Sequence, residues 1–166
     1  MAEIIGVSMW TLVTLRWGDW RNVKKYYATI LYFLFCDVLY YYLTYNHRLW
    51  SIAPTPPLAS EFVALIGEFI VFAGTIFLFL GRYPSNQFFS IRWTGLWVIL
   101  YTANEWVLLK AGTFVYEHGW TIVHSFIFNI FMFIFLRLHD QRPILTMILS
   151  IPIPFILIKL FSIPIR

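Results

Sequence analysis

The chain has 166 residues and a formal net charge of +4, and 60% of its residues are apolar, 21% aromatic and only 12% charged. A typical soluble domain carries about twice that share of charge, and the mean hydropathy here is +0.73. The composition excludes a soluble globule, a disordered chain and a disulfide scaffold. It predicts that residues 1–166 form a single integral membrane domain.

The first predicted element is a short apolar helix at the N-terminus, Ile4–Leu15. As a helix it is about 18 Å long, too short to cross roughly 30 Å of hydrocarbon. Ser8, Thr11 and Thr14 recur every third residue and form a weakly polar stripe. We therefore predict an amphipathic helix that lies in the membrane surface.

Four longer apolar runs follow, each with the roughly 20 residues that a spanning helix needs. They are Tyr26–Tyr45, Phe62–Gly81, Trp93–Gly112 and Gly119–Arg137. A fifth run, Ile144–Ile163, contains Pro152 and Pro154, which kink or break a helix. This run either spans with a bend or enters and returns. The predicted fold class is all-α, an integral membrane helix bundle of four to five transmembrane helices plus an N-terminal interfacial amphipathic helix.

The orientation follows from the lysines and arginines in the short connections. One side of the predicted bundle carries Arg16, Arg21, Lys24, Lys25, Arg82, Arg92, Arg137 and Arg142. The other side carries Arg48 and Lys110, and also Lys159 and Arg166 if the fifth run spans. The Arg16–Lys25 segment is therefore predicted to be cytoplasmic. The connection that contains Pro54, Pro56 and Pro57 is then external.

Polar side chains inside the predicted spans are the candidate functional groups, because burying charge in hydrocarbon is costly. They are Asp37, Glu68, Asn104, Glu105, His124 and Asn129. Counted from the helix midpoints, the four ionisable groups lie within about 6 Å of the midplane on its external side. This common depth predicts an outward-facing polar pocket.

Two interpretations of this polar layer stay open. The groups can hydrogen-bond between helices and serve packing alone. Alternatively, they line a pocket that binds a cation, a protonated amine or a metal, or that relays protons. Of these ligands a metal ion is the least favoured, because the helix of His124 has no second histidine at a spacing that would place it on the same face.

Several short motifs resemble those of a known family. They are R-W-G-D-W-R at Arg16–Arg21, D-V-L-Y at Asp37–Tyr40, and H-G-W at His118–Trp120. The family comprises small, uncharacterised, multi-spanning membrane proteins of endospore-forming Firmicutes. The resemblance implies a bacterial plasma-membrane location and a connection with sporulating cells. The recurring acidic residues of the family coincide with Asp37 and Glu105.

The sequence thus predicts a non-enzymatic membrane protein that binds a small polar ligand or a cation. In this hypothesis Asp37 and Glu105 supply negative charge, Glu68 and His124 tune protonation, and Asn104 and Asn129 orient the ligand. The alternatives are a structural or assembly subunit of a membrane complex and, third, an intramembrane enzyme. The predicted partners are the lipid bilayer and either a membrane protein or a second copy of the chain, with no nucleic acid. The sequence names no cofactor.

Overall fold

A computed structural model describes residues 2–53 and 61–164, most of which are helical. The helices are α1 (Ala2–Trp17), α2 (Val23–Leu43), α3 (Glu61–Phe79), α4 (Gln87–Lys110), α5 (Ile122–Gln141), α6 (Pro143–Ser150) and α7 (Pro152–Leu160). A short 3₁₀ turn, Trp20–Asn22, joins α1 to α2. The predicted all-α class is confirmed. The three prolines of the predicted external connection lie outside the described residues.

Local chemistry explains where several helices begin. The connection between α3 and α4 ends in Asn86, whose side chain accepts a hydrogen bond of 2.9 Å from the Phe88 amide and caps α4. Pro143 and Pro152 stand at the first positions of α6 and α7, where a missing amide hydrogen costs nothing. The second proline therefore separates two helices.

The helices share two well-defined ends. At one end, which we call the basic end, the Arg82 guanidinium donates to the Trp17 carbonyl, and Arg137 lies 4.3 Å from the Tyr83 ring. The turns that follow α1, α3 and α5 therefore meet there. We call the opposite end the sheet end, because a two-stranded sheet lies there. At this end His47 stacks on His118 with 3.5 Å between the ring centroids.

The predicted N-terminal helix is present and packs as part of the bundle. α1 packs lengthwise against α3: the Trp10 indole donates to the Val71 carbonyl over 3.1 Å, and Thr14 is buried beside Gly74. Its leucines point outwards, with Leu12 67% exposed. Gly74 leaves room for Thr14 to approach α3, so the apolar side of α1 faces outwards, and its position in the membrane surface stays a prediction.

The C-terminal segment runs the length of the bundle beside α2. α6 begins directly after α5 at the basic end, and midway along α2 Tyr32 and Ser150 share a hydrogen bond of 2.6 Å. At the sheet end, His47 donates to the Phe161 carbonyl over 3.2 Å. Residues 143–160 therefore pass from one end of the bundle to the other with a break at Ile151, and the chain does not turn back within them.

A small sheet closes the sheet end. Strand β1 (Trp50–Ile52) pairs antiparallel with β2 (Phe114–Tyr116), so the connections after α2 and α4 are joined. Tyr40 attaches this sheet to α2: its hydroxyl accepts from the Trp50 amide over 2.8 Å and donates to the Trp50 carbonyl over 2.7 Å. Three-residue strands carry too little periodicity to be predicted from sequence.

Aromatic side chains dominate the core. Phe79 of α3 and Phe133 of α5 are both fully buried, with ring centroids 5.0 Å apart. Trp97 of α4 contacts both rings edge-on or tilted. Three helices thus meet through these rings, which is the geometry that stabilises aromatic clusters.

The outer surface is apolar. On α6 and α7, Ile144 is 74% exposed and Phe155 is 65% exposed. Among the described residues, three helical segments are long and apolar enough to cross a membrane: Trp20–Leu43, Ile122–Gln141 and Pro143–Leu160. Such surfaces suggest a membrane location.

Candidate functional site

The polar groups that the sequence places in one layer fall into separate clusters in the structure. We call them the α2–α3 cluster, with Asp37, Tyr41 and Glu68, and the α4–α5 cluster, with Glu105 and Ser125. His124 and Asn104 join neither cluster.

The α4–α5 cluster is internally satisfied. Oε1 of Glu105 accepts hydrogen bonds from the Tyr116 hydroxyl at 2.8 Å and from the Ser125 hydroxyl at 2.7 Å. The Trp120 indole donates to the same serine oxygen over 2.7 Å. These bonds tie α4 to β2 and α5, which is a packing role.

Two further polar groups belong near this cluster. Asn129 is buried on α5, and its amide donates to the Thr102 hydroxyl of α4 over 3.2 Å. Burial and the neighbouring Glu105 raise the pKa of the Tyr116 hydroxyl in β2, although its bond to Ser125 acts in the opposite direction. Tyr116 therefore remains a hydrogen-bond donor at neutral pH.

His124 and Asn104 are not placed to bind a ligand with the others. Nδ1 of His124 accepts from the Thr121 amide over 3.1 Å and so helps to cap α5. Its ring lies 5.2 Å from that of Phe161. Asn104 is exposed on α4.

The α2–α3 cluster contains a carboxylate that its neighbours leave unsatisfied. Oδ2 of Asp37 is fully buried and has no hydrogen-bond partner among the described residues. Tyr41 lies one helical turn further on, so its Cβ is about 5–6 Å from that of Asp37. Its hydroxyl donates to both carboxylate oxygens of Glu68, at 3.0 and 3.1 Å. Tyr41 is thus bonded to Glu68 and lies on the same face of α2 as Asp37.

A basic residue, Arg48, also stands at this cluster. The guanidinium carbon of Arg48 lies 5.3 Å from the centre of the Tyr41 ring. Neither Tyr41 nor Arg48 was among the site residues predicted from the sequence. The four-residue spacing between Asp37 and Tyr41 was an available signal, whereas the position of Arg48 depends on how the chain folds after α2.

No three His, Cys, Asp or Glu side chains come together as a metal site in the part of the chain that the structure describes. The donor set of the α2–α3 cluster is two carboxylates and a phenol, all oxygen ligands. Such a set suits hard cations and ammonium groups.

Comparison of the chain with protein-family models, curated proteins and solved structures finds no match. The resemblance to the sporulation-associated membrane family therefore stays a prediction. The class that the fold supports is a helical protein with apolar helices long enough to span a membrane.

Proposed function

We propose that this protein is a multi-pass integral membrane protein that binds one small monovalent cation or protonated amine at the α2–α3 cluster. The observation that carries the proposal is the buried Oδ2 of Asp37 without a partner among the described residues. A buried carboxylate oxygen is costly unless a proton or a cation compensates it.

The charges at the cluster favour a monovalent ligand. Asp37 and Glu68 contribute two negative charges when ionised, and Arg48, over the Tyr41 ring, contributes one positive charge. The carboxylate oxygen without a partner among the described residues is Oδ2 of Asp37, which carries one negative charge when Asp37 is ionised. A single monovalent cation, a primary ammonium group or a proton balances one such charge.

The membrane topology is part of the proposal. The turns after α1, α3 and α5 meet at the basic end, which carries Arg16, Arg21, Arg82 and Arg137. Lysines and arginines concentrate on the cytoplasmic side of bacterial membrane proteins. This supports a plasma-membrane protein with a cytoplasmic Arg16–Lys25 segment, so that the α2–α3 cluster lies toward the external, sheet end.

A structural or assembly role is the second candidate, and the α4–α5 cluster favours it. Glu105 there is bonded to two hydroxyl groups of its own chain, and His124 caps its own helix. If Asp37 also serves packing, its buried oxygen is satisfied by a proton, and added cations have no effect on the stability of the protein.

The test is a thermal-shift series on detergent-purified protein with sodium, potassium, lithium, methylammonium and choline chlorides at constant ionic strength. A ligand that binds the native state raises its apparent stability by mass action, about 2.7 kcal/mol at 100 times the dissociation constant. We expect one of these cations to raise the melting temperature of the wild type and to leave that of Asp37→Asn unchanged.

Glu117→Gln is the matched control, because Glu117 is an exposed carboxylate outside the cluster. It should keep the full cation response. Glu68→Gln should weaken the response, since it removes one of the two negative charges. An equal response in the wild type and Asp37→Asn would contradict the proposed site and favour the structural role.

A further inference from the structure

Two clefts at the basic end share residues and differ in polarity. The first, about 380 Å³, is lined by the α1–α2 turn and the turn after α3, including Asp19, Arg21 and Arg82. The second, about 330 Å³, lies between α1 and α4 and is lined by apolar side chains. Trp17 and Arg82 belong to both clefts. The two clefts therefore adjoin each other at Trp17 and Arg82, and we call them together the amphipathic groove.

The apolar part of the groove runs along α1 and α4, away from the basic end. Its walls are Trp10 and Val13 of α1, Leu78 of α3, and Trp93, Trp97 and Leu100 of α4. Positions 93 to 100 span about 10 Å along the helix axis. A groove of this shape and composition accepts a linear hydrocarbon chain.

The polar part of the groove carries a net positive charge. Arg21 and Arg82 contribute two positive charges and Asp19 one negative charge. Asp19 is already engaged, because it accepts from the Asn22 amide at 2.9 Å and from the Tyr26 hydroxyl at 2.9 Å. The bond from Asn22 lowers the pKa of this carboxyl, so it stays ionised at neutral pH.

Arg82 stands where the two parts meet. One of its nitrogens donates to the Trp17 carbonyl, which holds the guanidinium at the junction. A guanidinium has five N–H donors, so others remain for a phosphate, which it recognises in a fork geometry.

We propose that this groove binds an anionic phospholipid, with the phosphodiester at Arg82 and Arg21 and one acyl chain between α1 and α4. The argument is charge complementarity at one end and an apolar cleft at the other. It rests on the membrane location in the proposed function, but not on cation binding at Asp37. Basic groups at the cytoplasmic ends of helices attract anionic headgroups in the same way.

The test uses delipidated full-length protein in a neutral detergent and phospholipids brominated on the acyl chain, which quench nearby tryptophans. We expect phosphatidylglycerol to quench at a concentration at least about ten-fold lower than phosphatidylcholine or phosphatidylethanolamine. Arg82→Gln should raise the phosphatidylglycerol concentration that is needed by about ten-fold or more, because a hydrogen bond to a charged group is lost.

Three variants make the result specific. Arg82→Lys keeps the charge and should retain most of the selectivity. Arg92→Gln removes an arginine that lies over the Phe88 ring, outside the groove lining, and should change nothing. Val13→Phe fills the apolar part with the charges unchanged and should weaken quenching by every lipid.

The proposal is overturned if all headgroups quench alike, or if Arg82→Gln and Arg92→Gln weaken quenching equally, which would indicate diffuse surface charge. It is also overturned if soluble glycerophosphate competes as well as the lipid does. Flotation with liposomes tests the membrane location separately. Asp37→Asn should keep the phosphatidylglycerol selectivity, so failure of the cation site leaves this proposal standing.

Discussion

The strongest stability prediction concerns the hydroxyl group of Tyr40. It accepts from the Leu49 amide at 3.1 Å and the Trp50 amide at 2.8 Å, and it donates to the Trp50 carbonyl at 2.7 Å. The ring also stacks on that of Trp50, with 3.9 Å between centroids. Tyr40→Phe keeps the stacked ring and removes all three hydrogen bonds.

The expected loss follows from the groups that are left behind. Each buried polar group without a partner costs about 1–3 kcal/mol. Leu49 is fully buried, whereas Trp50 is only partly so, and water can reach part of the site. We therefore expect Tyr40→Phe to lower the free energy of unfolding by about 2–4 kcal/mol.

Two measurements check this value. Chemical denaturation in detergent gives the free energy of unfolding, and hydrogen exchange followed by mass spectrometry gives the protection of residues 46–53. Tyr42→Phe is the control, because Tyr42 is 78% exposed on the same helix. A loss below about 0.5 kcal/mol with unchanged exchange would refute the argument that Tyr40 holds the sheet.

Three further predictions follow from single contacts. Phe133→Ala should lower the free energy of unfolding by about 3–5 kcal/mol, because Phe133 is fully buried, whereas Phe131→Ala, at a 54% exposed position, should cost much less in the same denaturation assay. Gly74→Ala should destabilise the protein by about 1–3 kcal/mol, since its Cβ would lie 3.3 Å from Cβ of Thr14, and Gly95→Ala, with open space around it, should not destabilise it. The Asn22 hydrogen bond lowers the pKa of Asp19 from its ordinary 3.8, so the ionised carboxylate stabilises the folded protein above pH 3.8, and this stabilisation is lost as the pH falls through the lower pKa of the folded state. Between pH 6 and 2 the melting temperature of Asp19→Asn should therefore fall less than that of the wild type. Parallel melting curves of the two proteins would contradict this prediction.

The long helices could be predicted from the sequence because apolar runs of spanning length leave few alternatives. The predicted run Tyr26–Tyr45 corresponds to α2 at Val23–Leu43, and the prolines correctly placed a break near residue 151. The path of the C-terminal segment needed long-range contacts, such as that of His47 with Phe161, which no local pattern contains.

The candidate site was only partly predictable. Counting depth along helices placed Glu68 and Asp37 at similar levels, and Tyr41 does connect that region of α2 to α3 in the structure. The position of a residue along the helix axis does not determine the direction in which its side chain points around the helix. Asn104 therefore faces outwards, and Glu105 pairs with Ser125 instead of Asp37.

The central claim is that Asp37 and Glu68 hold a monovalent cation. The most direct measurement is isothermal titration of the purified protein with the cation that gives the largest thermal shift. We predict one bound cation per chain for the wild type and for Glu117→Gln, and no measurable binding for Asp37→Asn. Binding to Asp37→Asn with unchanged affinity, or no binding to the wild type, would contradict the account.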